Sequence, residues 1–321
     1  MATIRFEGQD YSCAEDEVLL DSLARQGAVL PSACKAGACQ TCLTRALKGK
    51  PTPVSQQGLK DTLAAQGYFL ACLCKPVEDM EIGLASVLSE YSVPLMRKEL
   101  LNESIIRLRV EKPEGFSYRA GQFVNVRRSD GLSRSYSLAS IPSDSYLELH
   151  IKRVAEGEMT TWLFDEVAEG DMLSFSGPAG DCFYLAGDLE RPLLLAGAGT
   201  GLAPLLGIMR DALEQGHRGP IHLFHASLAT SGLYLIDELN ALAKQHAQLK
   251  YTPCVLHGDA PIGGMQGNII DLPAQVLGTL SGYRIYLCGD PPIVSGLRQK
   301  SFMAGAAMQD IYSDPFVFSS T

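Results

Sequence analysis

The sequence lacks an excess of basic residues and lacks an apolar leader, and each absence removes a class of function. Its 321 residues carry 27 Lys and Arg against 36 Asp and Glu, a net charge of −9, so nucleic acid is not an expected partner. The opening segment, MATIRFEGQD, has neither the apolar region nor the cleavage site of a secretory signal. We therefore expect a protein that is not secreted.

One charge-free run approaches the length of a membrane span and needs an explanation. Residues 192–209 form an 18-residue stretch without a charge. The stretch contains four glycines and two prolines, a composition that favours a buried strand, a tight turn and a helix. No membrane association is expected.

The remaining composition is that of an ordinary globular protein, with 46% hydrophobic and 20% charged residues. The length is enough for two or three domains, each with its own core. The nine cysteines are expected to be reduced thiols or metal ligands, which predicts a cytoplasmic location.

Four of these cysteines form a recognisable pattern. Cys34, Cys39 and Cys42 are spaced C-x4-C-x2-C, and Cys74 follows 32 positions after Cys42. This is the ligand spacing of a plant-type [2Fe–2S] cluster. The small residues of the segment PSACKAGACQTC would let backbone N–H groups approach negatively charged sulfides.

Two other interpretations of the cysteines remain open. Zinc could be held by Cys39 and Cys42 together with Cys72 and Cys74, although zinc sites usually pair two C-x2-C knuckles. The thiols could also be purely structural. Cys72 competes with Cys74 for the fourth position, because the two would share a side of an extended segment; the prediction is Cys74.

Three regions of different periodicity follow one another along the chain. Residues 1–88 contain a hairpin at Gly8, a helix and the cysteine loop, an order that resembles a β-grasp ferredoxin. A linker is predicted at residues 86–94, and residues 93–188 show alternating runs typical of a small antiparallel barrel. Residues 189–321 alternate short apolar strands with helices, which predicts a parallel α/β sheet. The fold class is therefore multidomain.

The barrel region carries a possible flavin site. In the segment RSYS, the Arg134 guanidinium can pair with a pyrophosphate, the Tyr136 ring can stack on a planar heterocycle, and a serine hydroxyl can reach a ring nitrogen. A strand, a glycine turn and a helix beginning near Met159 follow, and helix N-termini suit phosphate. Taken separately, the segment RSYS could be a chance surface strand, and a threonine in that first turn could be only a helix cap.

The α/β region carries two motifs at strand ends. The segment GAGTG, which includes Gly199, Thr200 and Gly201, follows the first strand and opens a helix, where a dinucleotide phosphate would lie. It departs from G-x-G-x-x-G, and packing alone could produce such a turn. The segment CGDPP, from Cys288 to Pro292, lies at the carboxyl end of a later strand, the usual binding edge.

Together, the three motifs in this order resemble the ferredoxin-fused members of the ferredoxin–NADP reductase superfamily. Examples are the reductase components of benzoate and naphthalene dioxygenases and of methane monooxygenase. The resemblance covers essentially the whole chain and assigns residues 1–88 to a [2Fe–2S] ferredoxin domain, 93–188 to an FAD domain and 189–321 to an NAD(P)H domain.

The resemblance also implies roles for individual residues. The cluster ligands are expected to be Cys34, Cys39, Cys42 and Cys74. The residues expected at the chemistry are Ser137, near the flavin N5, and Cys288, Asp314 and Phe316. The cofactor-binding residues are expected to be Arg134, Ser135, Tyr136, Ser137, His150, Lys152, Gly157, Met159, Thr160, Thr161, Gly199, Thr200, Gly201, Cys288, Gly289, Asp290 and Phe316.

Electron counting gives the expected order of transfer. A nicotinamide delivers two electrons at once and an iron–sulfur cluster accepts one at a time, so a flavin must stand between them. We expect NADH to reduce FAD, FAD to reduce the [2Fe–2S] cluster, and the cluster to reduce an external acceptor. NADH is preferred over NADPH because the segment HASLATSGLYLI contains no Arg or Lys for a 2′-phosphate.

The expected acceptor is an oxygenase component, Rieske-type or di-iron, or its ferredoxin, with the reductase acting as a monomer. Two alternatives remain: a reductase that serves a non-oxygenase partner such as a sugar-deoxygenating enzyme, and a redox sensor that binds a partner according to cluster state. In the C-terminal tail, Phe316 is predicted to cover the flavin, although the tail could simply be the last strand of the sheet.

Overall fold

The computed structural model describes residues 1–37, 39–84 and 89–316 of the chain. The chain divides into two compact units, Met1–Val87 and Leu88–Thr321. Within the predicted linker, residues 86–88 lie outside the described residues, as does the tail beyond Phe316.

The N-terminal unit is a five-stranded sheet with strand order β2-β1-β5-β3-β4 and a helix packed against it. Alternating side chains of the first strand are buried, as the hydrophobic pattern predicts, and this strand pairs antiparallel with β2 and parallel with β5. The predicted helix is present, and its leucines enter the core. The elements are β1 Ala2–Phe6, β2 Gln9–Cys13, α1 Leu19–Arg25, β3 Leu43–Lys48, a 3₁₀ turn Pro53–Gln56, α2 Asp61–Ala65, β4 Tyr68–Leu70 and β5 Met80–Leu84.

The second unit begins with a six-stranded antiparallel barrel sheet of order β10-β7-β6-β11-β8-β9. The predicted linker is wrong for residues 89–94, because these residues already belong to a 14-residue strand and pair with β11. The elements are β6 Ser89–Asn102, β7 Ile105–Glu111, β8 Phe123–Arg127, β9 Ser133–Ser137, β10 Tyr146–Lys152, α3 Glu158–Thr161, a π-helical turn Trp162–Glu166 and β11 Met172–Ala179.

The rest of the second unit is a parallel sheet of order β15-β14-β13-β12-β16-β17. The strand order reverses beside β12, and ligands of such sheets bind outside the carboxyl ends of the strands at this point. The elements are β12 Leu193–Ala198, a 3₁₀ turn Gly199–Gly201, α4 Leu202–Glu214, β13 Ile221–Ser227, a 3₁₀ turn Thr230–Gly232, α5 Ile236–Gln245, β14 Leu249–Val255, β15 Met265–Gln266, α6 Leu272–Leu277, β16 Arg284–Gly289, α7 Pro291–Met303, a 3₁₀ turn Met308–Asp310 and β17 Ile311–Pro315.

One hydrophobic core is common to the barrel and the parallel sheet. Ile105 and Ala139 of the barrel half pack in the same cluster as Leu195 and Tyr286 of the sheet. The charge-free run at residues 192–209 supplies β12, its following turn and the first part of α4, which are almost entirely buried. In the described part of the chain, no helix combines the length and apolar character needed to cross a membrane.

Candidate functional site

The cysteine loop of the N-terminal unit directs backbone N–H groups at two of its thiols. The Cys34 N–H donates to Cys39 Sγ at 3.5 Å, and the N–H groups of Ala36 and Cys39 each donate to Cys34 Sγ at 3.4 Å. Gly37 adopts φ +78°, and a Cβ there would lie 2.6 Å from Leu73 Cδ1. The loop is thus folded around its sulfur atoms, and the left-handed conformation at Gly37 favours glycine at this position.

The other two thiols that meet are Cys42 and Cys72. Both are buried, and Cys42 Sγ lies 3.2 Å from Cys72 Sγ. The backbone N–H of Gly37 also faces the Cys72 sulfur, and Cys34 lies near it. Burial, followed by the neighbouring Cys42 sulfur, raises the pKa of Cys72 to about 11. A thiol whose ordinary ionisation is this unfavourable needs a compensating positive charge, such as a metal ion, to exist as a thiolate.

The prediction of Cys74 as the fourth ligand is contradicted by this arrangement. Cys74 is fully buried in the core, its backbone oxygen accepts from Leu19 N–H at 2.8 Å, and its sulfur lies 3.9 Å from Thr52 Oγ1. The prediction assumed an extended segment, whereas the chain turns after β4, with Leu73 N–H donating to Leu70 O. The turn sends Cys72 towards the loop and leaves Cys74 in the core.

The four loop-side thiols therefore form two pairs, Cys34 with Cys39 and Cys42 with Cys72. Among the described residues, no three His, Cys, Asp or Glu side chains converge as they would around one metal ion. Two pairs of thiols fit a binuclear iron–sulfur cluster better than a single tetrahedral zinc ion. A hydrogen bond from the Thr41 side chain, aided by the Cys34 backbone, lowers the pKa of Cys39 to about 6, which favours the thiolate.

The barrel half presents two cations with no acidic partner. Arg134 on β9 donates only to the neighbouring Ser133 oxygen, at 2.8 Å, and neither Arg134 nor Lys152 joins any ion pair within the described residues. Tyr136 packs against the edge of the barrel core, and burial raises its pKa, so the ring stays uncharged. Arg134 lies near the neutral Tyr136 ring, and a guanidinium beside an aromatic ring suits a pyrophosphate joined to a planar heterocycle.

Several predicted flavin contacts are used elsewhere in the fold. His150 is buried, with Nδ1 3.1 Å from Tyr234 Oη and Nε2 3.0 Å from Glu148 Oε1. Both ring nitrogens have partners within the protein, so the backbone of His150 is what is left for a cofactor, and that contact stays a prediction. The Met159 side chain lies in the barrel core. Thr160 Oγ1 accepts from Val154 N–H at 3.1 Å and lies 3.0 Å from Gly157 O, leaving only the backbone of this turn for a cofactor.

Two further residues predicted to contact FAD, Thr161 and Ser135, have exposed side chains. The Thr161 side chain is exposed, while its N–H donates to Gly157 O at 2.9 Å. Ser135 is also exposed, but its hydroxyl donates to Asn125 Oδ1 at 2.7 Å on the neighbouring strand. Thr161 therefore stays a candidate contact, whereas Ser135 has a partner within the sheet.

The glycine turn after β12 closes on the end of β16. A Cβ on Gly201 would lie 2.3 Å from the Cys288 backbone oxygen, and a Cβ on Gly197 would lie 2.5 Å from the same atom. Only glycine permits this approach, and the turn leads into the 13-residue helix α4. Gly199 has open space around its Cβ position and φ +55°. The turn, with Thr200 half-buried, fits a nucleotide phosphate at the N-terminus of α4.

The barrel and the sheet meet at three of the predicted residues. Cys288 at the end of β16 pairs in register with Asp314 on β17, and Ser137 at the end of β9 donates its hydroxyl to Asp314 Oδ2 at 2.9 Å. Phe316, two residues further on, donates its N–H to Gly289 O at 2.8 Å. The structure thus brings Ser137, Cys288 and Asp314 together, with Phe316 beside them; Asp290 is exposed at the start of α7.

Burial governs the proton affinity of this junction. Desolvation raises the pKa of Asp314 to about 6, the Ser137 hydrogen bond opposes this change, and nearby Asp181 adds to it. Desolvation also raises the pKa of the fully buried Cys288 thiol, whose sulfur lies 4.0 Å from Cys182 Sγ. Burial therefore disfavours the charged form of both groups.

Sequence reasoning did not find the polar network behind this junction. Glu148 on β10 accepts from Arg109 Nε at 2.7 Å and from His150, which in turn contacts Tyr234 of the sheet half. Burial opposes its ionisation, but the bonds from His150 and Arg109 hold the pKa of Glu148 at about 2. The alternation of β10 gave no signal for this network, because five consecutive residues of the strand are buried.

Comparison with known proteins identifies three families along the chain. Residues 3–77 match the 2Fe-2S iron-sulfur cluster binding domain, residues 92–184 the oxidoreductase FAD-binding domain and residues 195–299 the oxidoreductase NAD-binding domain.

Relatives of similar length are known. The chain is 31% identical to the ferredoxin–NAD(P)(+) reductase component of the Pseudomonas putida naphthalene 1,2-dioxygenase system, over 93% of each chain. It is 30% identical to the phenol hydroxylase P5 protein of Acinetobacter pittii, covering 98% of this chain and 94% of that protein. Among solved structures, an Amycolatopsis cytochrome P450 reductase superposes with a TM-score of 0.69 at 27% identity, covering 98% of this chain and 99% of that one.

These matches confirm the fold class expected from the sequence and the three expected cofactor types, an iron–sulfur cluster, FAD and a nicotinamide nucleotide. The chain belongs to the family of ferredoxin-fused ferredoxin–NAD(P) reductases, oxidoreductases that carry a 2Fe-2S domain ahead of FAD-binding and NAD-binding domains.

Proposed function

We propose that this protein is the electron-transfer reductase of a multicomponent oxygenase. It oxidises NADH and passes the electrons through FAD and the [2Fe–2S] cluster to an oxygenase component or its ferredoxin. The observation that carries the proposal is the junction of Ser137, Asp314 and Cys288, where the flavin barrel and the nicotinamide sheet share one site. The acceptor class is supported by relatives named as components of naphthalene, phenol and toluate oxygenase systems.

The proposed domains are residues 1–88 for the cluster, 93–188 for FAD and 189–321 for the nicotinamide nucleotide. We assign the cluster to Cys34, Cys39, Cys42 and Cys72. We assign FAD to Arg134, Tyr136, Ser137, Lys152 and the backbone of residues 157–161. The turn Gly199–Gly201 and the segment from Cys288 to Asp290 hold the nucleotide.

A bound FAD would supply the conversion from a two-electron donor to a one-electron acceptor that an iron–sulfur cluster requires. The residues of the chain provide orientation and electrostatics around that chemistry. Arg134 and Lys152 offer unpaired positive charge to the pyrophosphate. The turn at Gly201 brings the nucleotide phosphates close to the backbone of β16, and so sets where the nicotinamide end can reach.

Protonation of Asp314 would change the direction in which the Ser137 hydroxyl donates. When Asp314 is ionised, the Ser137 hydroxyl donates to Oδ2 at 2.9 Å and its lone pairs face away. When Asp314 is protonated, the carboxyl can donate to Ser137 and release that hydroxyl to donate into the site. Because the pKa of Asp314 is about 6, both states are accessible near neutral pH.

A second acceptor is favoured by one structural comparison. The Amycolatopsis structure is described as a cytochrome P450 reductase, and the reductase subunit of an Amycolatopsis aromatic O-demethylase is 32% identical over 89% of this chain. A P450-type monooxygenase is therefore the alternative acceptor. We propose in addition that the protein acts as a cytoplasmic monomer, a setting in which the cysteines outside the cluster would stay reduced thiols.

The proposal is tested by anaerobic titration of the purified holoprotein with NADH. We expect one FAD and two irons per chain, bleaching of flavin and cluster absorbance, and rapid reduction of a one-electron protein acceptor. The same preparation is then mixed with oxygenase components of the Rieske, di-iron and P450 classes, and product formation identifies the partner. Bleaching of the flavin with no transfer to any protein acceptor would overturn the proposal and favour a redox sensor.

A further inference from the structure

We propose that Asp259 recognises the ribose diol in the adenosine half of the nucleotide and makes the protein selective for NADH. The inference rests on the proposed function and extends it, because it names the residue that discriminates between the two nicotinamide nucleotides. The segment expected to meet the ribose, after β13, contains no carboxylate of its own before α5. The structure brings one to it from the neighbouring loop.

The two loops leave the sheet side by side. Strands β13 and β14 are parallel, with Ser227 in register with Val255. The hydrogen-bonded ladder continues past the strands, as Leu256 N–H donates to Ser227 O at 3.1 Å and His257 N–H donates to Leu228 O at 2.9 Å. Both loops therefore emerge together from the carboxyl edge of the sheet, which is the edge that binds nucleotides.

The position of Asp259 is fixed by its backbone. Thr230 Oγ1 donates to the Asp259 backbone oxygen at 2.6 Å, which joins the loop after β14 to the turn after β13. The turn itself is held from the barrel side, where Asn102 Nδ2 donates to Gly232 O at 3.3 Å. A loop anchored in this way loses little further conformational freedom when a ligand binds.

The local charge distinguishes the two nucleotides. In residues 226–235 and 256–264 together, Asp259 is the only Asp, Glu, Lys or Arg, and it is exposed. A carboxylate can accept hydrogen bonds from both hydroxyls of a ribose diol. A 2′-phosphate would instead bring a charge of about −1.5 to −2 next to this carboxylate, with no Lys or Arg in either loop to compensate. The Asp259 carboxylate thus favours NADH and disfavours NADPH.

The test uses equilibrium binding to the full-length holoprotein. Isothermal titration calorimetry with 5′-AMP and with 2′,5′-ADP measures the adenosine subsite without the redox reaction. For Asp259→Asn we expect the Kd of 5′-AMP to rise about five- to tenfold, because the substitution removes charge-assisted hydrogen bonds at an exposed site. For Asp259→Arg we expect the Kd of 2′,5′-ADP to be lower than that of the unaltered protein by a factor of about ten or more.

A matched control separates a local contact from a change in net charge. Asp237 is an exposed aspartate on α5 outside both loops, so Asp237→Asn removes the same charge from the same half of the protein. A Kd for 5′-AMP that changes equally in both Asn variants, or in neither, overturns the role of Asp259. Saturating NADH should still reduce the flavin in every variant; if it fails to do so in the unaltered holoprotein, the proposed function itself fails.

Discussion

The cluster loop and the junction of barrel and sheet treat charge in opposite ways. Around Cys34 and Cys39, backbone N–H groups point at the sulfurs, and hydrogen bonds lower the pKa of Cys39 to about 6. At the junction, burial raises the pKa of Asp314 to about 6 and raises that of Cys288 further. Hydrogen bonds in one region favour negative charge on the sulfurs, whereas burial in the other region disfavours negative charge on Asp314 and Cys288.

The largest expected effect concerns the cluster region, where Cys72 and Cys74 are each replaced by serine and the two variants are compared. Cys72→Ser should abolish incorporation of the cluster, because its sulfur lies 3.2 Å from that of Cys42, while Cys74→Ser should retain two irons. Iron content, visible spectra and transfer to a one-electron protein acceptor measure the outcome. NADH-dependent flavin reduction should survive in both variants. If Cys74→Ser alone lost iron, the two-pair arrangement of thiols would be wrong.

The next effect concerns the nucleotide turn. Gly201→Ala places a Cβ against the Cys288 oxygen, where only 2.3 Å is available, and so should displace the turn. We expect kcat/KM for NADH to fall about a hundredfold while FAD is retained, because displacements of about 1 Å carry costs of this size. Gly187→Ala is the matched control, since no atom lies within 4 Å of its Cβ position. Equal activity of the two variants would show that the close approach is not needed.

A smaller effect is expected from pH at the junction. Arrival of electrons beside an ionised Asp314 is opposed, so the rate of flavin reduction by NADH should fall several-fold as pH rises through about 6. Asp314→Asn should flatten this step, as measured by stopped-flow absorbance. A step of unchanged size and position in Asp314→Asn would assign it to another group.

The free energy of unfolding should also depend on the protonation of Asp314. The folded-state pKa of about 6 exceeds the ordinary value of 3.8, so the folded state binds a proton more tightly than the unfolded state. This contribution is full below pH 3.8 and is lost as pH rises through about 6. The pH dependence of the unfolding temperature in this window should be weaker in Asp314→Asn.

The smallest effect concerns Phe316. Its N–H is held by Gly289 O, and its ring is predicted to cover the flavin as a movable lid. Phe316→Ala should retain FAD, bind NADH up to about fivefold more tightly, since an aromatic contact of this kind contributes about 1 kcal/mol, and release more peroxide. Steady-state kinetics and peroxide yield provide the measurement. If neither value changed in a folded Phe316→Ala protein, the Phe316 ring would have only a packing role and the lid hypothesis would be wrong.

Periodicity and spacing predicted the fold well because each region repeats one pattern over many residues. The alternating runs of residues 93–188 and the apolar strands that alternate with helices in residues 189–321 were identified in this way, whereas the start of β6 was taken for a linker. The linker was misplaced because residues 89–94 begin a strand whose partner, β11, lies some 80 positions later in the chain. A short polar segment contains no trace of so distant a pairing.

Individual side chains were harder to predict than elements. Cys72 and Cys74 are separated by one residue, so only the turn after β4, formed through a single backbone hydrogen bond, decides which thiol reaches the loop. His150 lies on a strand buried on both faces, where alternation cannot show which way a side chain points. Contacts between distant segments, such as Ser137 with Asp314, became visible only in the folded chain.

The common core of barrel and sheet has a consequence for how this protein can be altered. Ile105 and Ala139 share a cluster with Leu195 and Tyr286, so deletion of either half would expose a large apolar face on the other. The N-terminal unit has a hydrophobic core of its own. Exchange of modules between reductases should therefore succeed for residues ahead of β6, and nucleotide preference is better altered by point substitution than by exchange of a domain.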